Sequence, residues 1–64
     1  MNFDLPIGTL LKHKYINEVF VIVGHVIVHD HRNYRLFRPT TGEYLTVRTE
    51  RTPKYYNTLD TETK

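Results

Sequence analysis

Val19-Phe20-Val21-Ile22-Val23-Gly24-His25-Val26-Ile27-Val28 is the densest β-forming run in the chain, with eight β-branched or aromatic residues in ten. Such side chains lose rotamer freedom against a helical turn and pack well on a pleated surface, so the stretch reads as strand. An unbroken strand of this length is long for a small domain, and an interior glycine commonly marks a bulge or bend. Gly24 is therefore expected to bend the strand. Alternation sends Phe20, Ile22 and Val26 to the core and Val19, Val21 and Val23 to the opposite face, where the C-terminal segment is expected to cover them in part.

Upstream, the breakers Pro6 and Gly8 precede Thr9-Leu10-Leu11-Lys12-His13-Lys14, a first strand that ends near Tyr15-Ile16-Asn17-Glu18, with a turn at Asn17. Downstream, His29-Asp30-His31-Arg32-Asn33 is polar and turn-forming, and Tyr34-Arg35-Leu36-Phe37-Arg38 gives a short third strand. Pro39-Thr40-Thr41-Gly42 suits a hairpin built on a type I turn with glycine in the left-handed position. It feeds Glu43-Tyr44-Leu45-Thr46-Val47-Arg48, whose strict alternation puts Leu45 and Val47 inside and Tyr44, Thr46 and Arg48 outside. After Pro53, residues 54–59 suit either a one-turn helix or a final short strand, anchored by Tyr56 or Leu59. The expected core is Leu10, Phe20, Ile22, Val26, Leu36 or Phe37, Leu45 and Val47. Residues 1–59 form one domain in this reading, and 60–64, without an apolar residue, form a flexible tail.

A chain of 64 residues without cysteine holds one core and no disulfide to staple it, and a core of this size supplies roughly 3–5 kcal/mol. Four or five short strands with a bent second strand point to an all-β fold, a small, partly open five-stranded antiparallel barrel, since an open sheet so short would leave an unprotected edge. The units Gly8-Thr9-Leu10-Leu11-Lys12-His13-Lys14 and Glu18-Val19-Phe20-Val21-Ile22-Val23-Gly24, followed by Tyr34-Arg35-Leu36-Phe37-Arg38-Pro39-Thr40-Thr41-Gly42, resemble small SH3-like β-barrels of bacterial and phage proteins. The resemblance spans about residues 8–48 and implies a fold class, with activity left open.

Nine Lys and Arg against seven Asp and Glu give a net charge of +2. The cations are unevenly placed. Residues 1–33 balance, whereas Arg35, Arg38, Arg48, Arg51 and Lys54 face only Glu43 and Glu50 within residues 34–56. No apolar run approaches the ~20 residues a membrane helix needs, and the N-terminus lacks the basic flank and apolar region of a signal peptide. A cytoplasmic protein is expected, in the host cytoplasm if phage-encoded.

Catalytic chemistry finds no foothold. The chain has no Ser and no Cys, its carboxylates fall in turns and the tail, and its three glycines read as turns and bends rather than a phosphate loop. No enzyme activity and no cofactor are expected. His25, His29 and His31 have spacing that permits a zinc ion, but His13 lies on another strand and Asp30 points away from the pair in an extended segment. They read instead as turn and bulge residues, and no metal is assigned. Titration of the four histidines would carry the net charge from +2 toward +6 in acid.

What remains is Tyr34, Arg35, Arg38, Tyr44, Arg48, Arg51, Lys54 and Tyr55, with Tyr56 beside them. Arginine supplies phosphate contacts and tyrosine a flat face for a base, so this basic, tyrosine-rich surface is expected to bind nucleic acid, DNA or RNA. The alternative is a small phage-type regulator or inhibitor that binds a host protein through an aromatic groove or an exposed edge strand. The chain is expected to be a monomer or a weak edge-strand homodimer.

Overall fold

The computed structural model describes residues 5–59; the expected tail at 60–64 lies outside them. Five strands, β1 (Leu10–His13), β2 (Val19–Val28), β3 (His31–Arg38), β4 (Glu43–Arg48) and β5 (Tyr56–Thr58), form one antiparallel sheet in the order β4-β3-β2-β1-β5. Between β4 and β5 run a 3-10 turn (Thr49–Arg51) and a single helical turn, α1 (Thr52–Tyr55), with Pro53 in its first turn, where a missing N–H costs nothing. Both readings of the segment after Pro53 are thus realised in succession. Among the described residues no helix is long and apolar enough to cross a membrane.

β2 bends where glycine predicted it. Ile22 pairs with Leu36 and Gly24 with Arg35, so Val23 is an extra residue on β2, a bulge that bends the strand and increases its twist. The Cβ that glycine lacks would meet only the Arg35 side chain, at 3.5 Å, which is ordinary contact. The β3–β4 hairpin also forms as expected: the N–H groups of Thr41 and Gly42 both donate to the Arg38 carbonyl, at 3.2 and 2.8 Å, and Gly42 has φ of 76°. The β2–β3 turn is tighter than the five polar residues suggest. Only His29 and Asp30 lie outside the strands, with φ of 51° and 66°. His and Asp enter the left-handed region more readily than most residues, so the two suffice for a mirror-image hairpin turn and His31, Arg32 and Asn33 join β3.

Directly opposed residues share a face. On the inner face Leu11, Phe20, Ile22, Tyr34, Leu36 and Tyr56 form the core, and Leu5, Leu45 and Val47 pack against it. Three expectations need correction, and the choice left open between Leu36 and Phe37 is decided. Leu11, fully buried, takes the place given to Leu10, which is 37% exposed, because the register pairs Leu11 with Phe20 and Leu10 with Val21. Leu36 rather than Phe37 is the core residue of β3, and Tyr34, two residues before it, goes inward with it. Val26 lies beyond the bulge, opposite Asn33, and is only half-buried. Finally, the C-terminal segment adds to the sheet as β5 beside β1, with Tyr56 as its core anchor, instead of lying across Val19, Val21 and Val23.

Candidate functional site

The outer face follows from the same register. Leu10, Val21, Phe37 and Tyr44 are paired in turn from β1 to β4 and make one apolar and aromatic row across four strands. Tyr44 is 57% exposed and its ring packs against Phe37 at 5.1 Å with a tilt of 49°, while the Arg35 guanidinium lies 5.1 Å from the Tyr44 ring centre. A cation held over a ring in this way keeps its charge available and stiffens the side chain. Lys12, opposite Val19, adds a cation to the same face.

A second cluster forms where β4 runs into the 3-10 turn and α1. Arg48, Arg51 and Tyr55 meet Asn33, Thr46 and Val47 around a shallow depression. The turn geometry that brings them there is held by buried Thr52, whose hydroxyl donates to the Arg48 carbonyl at 2.9 Å. The other half of β4, Glu43 to Leu45, borders a further depression with His13, Ile16, Phe20, Arg38 and Tyr56. Together the two are lined by every residue of β4, an edge strand of the sheet, but they share no residue; Tyr44 lies at one and Tyr55 at the other.

The eight residues singled out in the sequence therefore divide. Arg35, Tyr44, Arg48, Arg51 and Tyr55 lie along this surface, and Lys54 is exposed on α1. Tyr34 must be withdrawn: it is 2% exposed, its ring is part of the core, and its hydroxyl accepts a hydrogen bond from the Leu5 N–H at 3.2 Å, so it has no face to offer a base. Arg38 is engaged already. Its Nη2 donates to Glu18 Oε2 at 2.7 Å and its Nε to Oε1, with Glu43 3.8 Å away. The hydrogen bond from Arg38 holds the Glu18 carboxyl below the usual carboxylate range, and in return raises the Arg38 pKa. Burial raises the Tyr56 hydroxyl above its ordinary value.

Among the described residues no carboxylate lies within ion-pair distance of Arg35, Arg51 or Lys54, whereas Arg48 has Glu50 at 3.5 Å in an exposed contact. An exposed pair of that kind is weak and screened by salt. Tyr15 is an addition that sequence reasoning missed: 73% exposed, it stands 6.5 Å from the ring of Tyr55, which lines the second depression. The only signal in the sequence was the repeated Lys-Tyr pair at 14–15 and 54–55.

The histidines disperse. His29 is in the turn, His13 packs edge-on against Tyr56 at 4.9 Å, and His25 Nε2 lies 2.8 Å from the Leu5 carbonyl oxygen. Among the described residues no three His, Asp or Glu side chains converge as a metal site would require. No protein-family model, curated protein or solved structure matches this chain.

Proposed function

We propose that the protein is a non-catalytic nucleic-acid-binding module, an SH3-like barrel left partly open between β4 and β5, that lays a strand of DNA or RNA along a groove in which the two β4 depressions join. The observation that carries this reading is the convergence of Arg48, Arg51 and Tyr55 on one depression, continued along β4 to the Arg35–Tyr44 stack. Cations along a groove and rings at intervals are what a flexible polyanion with flat bases requires. The bulged β2 and the helical turn that returns the chain to β1 support the barrel assignment.

The test is fluorescence anisotropy with labelled oligonucleotides of DNA and RNA, single- and double-stranded, at about 50 and about 200 mM salt. Three or four phosphate contacts on a single strand give a log–log salt slope of about −2 to −3, a roughly 20- to 60-fold loss over that range. Arg48→Ala and Arg51→Ala should weaken all sequences alike and each flatten the slope by about 0.7. Tyr44→Ala should cost about 1–3 kcal/mol through lost stacking. Absence of binding at the lower salt concentration refutes the reading.

A second reading, a phage-type regulator that binds a host protein, is favoured by one feature: β4 is an edge strand with an aromatic groove beside it. Capture from nuclease-treated bacterial lysate separates the two. A stoichiometric protein that survives nuclease and is lost on substitution within β4 supports the second reading against the first.

A further inference from the structure

Beyond the groove, the β2–β3 hairpin runs past its neighbours. Pairing of β4 with β3 stops at Asn33↔Arg48 and that of β1 with β2 at Leu10↔Val21, so the last two rungs, Ile27↔Arg32 and Val28↔His31, continue as a two-stranded ribbon. Its tip is costly in two respects. Ile27 is 60% and Val28 39% exposed, and the turn holds two non-glycine residues at positive φ where Asn-Gly would relax. Strain and exposed apolar surface at one projecting tip point to a use for the side chains there.

We propose that this ribbon is an arm that enters the major groove of duplex DNA, with His29 and His31 as its polar contacts and Val28, which shares the face of His31, as its apolar one. The proposal rests on the nucleic-acid reading above, to which it adds the duplex as ligand. Paired strands lie about 4.8 Å apart, and such a ribbon with its side chains fits a major groove about 12 Å wide. The arm is continuous with the cationic surface, since Asn33↔Arg48 is the rung at which it leaves the sheet. Imidazolium can donate to the guanine acceptors N7 and O6, and the Val28 methyls can meet the thymine methyl. The A-form major groove of duplex RNA is too narrow for side chains to read, so DNA is preferred.

Phosphate proximity favours the charged form of an exposed histidine, and binding through the arm therefore takes up protons as pH falls through the histidine range. Among the described residues the charged and titratable groups around His29 and His31 are Asp30 and Arg32 on the arm, His25 three residues before Val28, and Arg48 across the Asn33 rung.

The experiment measures binding of a mixed-sequence DNA duplex, the RNA duplex of the same sequence and one of the single DNA strands, at pH about 5.5 and about 7.5, for the native chain, Val28→Thr and the double variant His29→Asn, His31→Asn, in which Asn suits the turn. The native chain should bind duplex DNA about tenfold more tightly at the lower pH and prefer it to duplex RNA. Both variants should lose about tenfold on duplex DNA, the double variant should lose much of the pH dependence, and both should keep single-strand binding, which also reports that they fold. Native-like duplex binding by the variants overturns the arm. Single-strand binding by the native chain without duplex binding also overturns it and leaves the groove reading intact, whereas binding of no oligonucleotide refutes the groove reading itself. Self-association of the native chain that Val28→Thr abolishes would assign the tip to a second copy, against the proposal.

Discussion

Replacing Leu11 by Ala, and separately Leu10 by Ala, tests the register on which both faces of the sheet depend. Leu11 is fully buried against the core, whereas Leu10 keeps 37% of its surface exposed on the outer row. Truncation removes three carbons, about 2.4 kcal/mol of transfer free energy at about 0.8 per buried carbon. At Leu11 the closed surroundings relax only in part, and the cavity brings the loss to about 3–4 kcal/mol. At Leu10 only about two-thirds of that transfer energy is at stake and no enclosed cavity forms, which leaves about 1.6 kcal/mol. Against a total of roughly 3–5 kcal/mol, Leu11→Ala should leave the chain close to unfolded at room temperature while Leu10→Ala stays folded. Urea titration followed by tyrosine fluorescence and far-UV dichroism reads this directly, since a slope near 1 kcal/mol per molar puts the two midpoints about 2 M apart. Equal losses, or a larger one at Leu10, would mean that β1 is set one residue out, which turns its side chains over. Lys12 would then face inward and the outer row would lose its β1 end.

The two strand and turn glycines should respond in opposite ways. Gly42→Val forces a β-branched residue to φ near 76°, with no atom within 4 Å to clash, so its cost is backbone strain alone, about 1–3 kcal/mol; thermal melting should show a fall of several degrees. Gly24→Ala meets only ordinary contact with the Arg35 side chain at a backbone without positive φ, and it should be neutral or raise the melting temperature slightly, since Ala loses less entropy on folding. The Glu18–Arg38 pair predicts acid sensitivity. The folded-state pKa of Glu18 lies below its ordinary 4.5, so the stability it contributes is fully present above that value and is lost as pH falls through the depressed pKa. Urea midpoints measured from pH 6 downward should therefore fall less steeply for Glu18→Gln than for the native chain below about pH 4.5.

Much of this architecture follows from local chemistry. The β-branched run at 19–28, the alternation at 43–48, the Pro-to-Gly hairpin at 39–42 and the glycine at the bulge act through propensities and backbone angles that a short window contains. The surplus of cations in residues 34–56 is also a property of the sequence alone. Which of two adjacent leucines is buried is not, because Leu10-Leu11 has no alternation to read and the choice falls to the pairing with Phe20. Tyr34 looked available because tyrosine suits a surface as well as a core; it turns inward because Leu36, which shares its face of β3, packs on Ile22. Likewise Arg38 was one cation among five until the fold set Glu18, twenty residues earlier in the chain, against its guanidinium. The approach of Tyr15 to Tyr55 and the two depressions beside β4 arise when segments far apart in the chain become neighbours. Composition fixes how many charges and rings the chain has, but their net use depends on long-range partners that bury or neutralise some and leave others exposed, and those partners exist only in the folded chain.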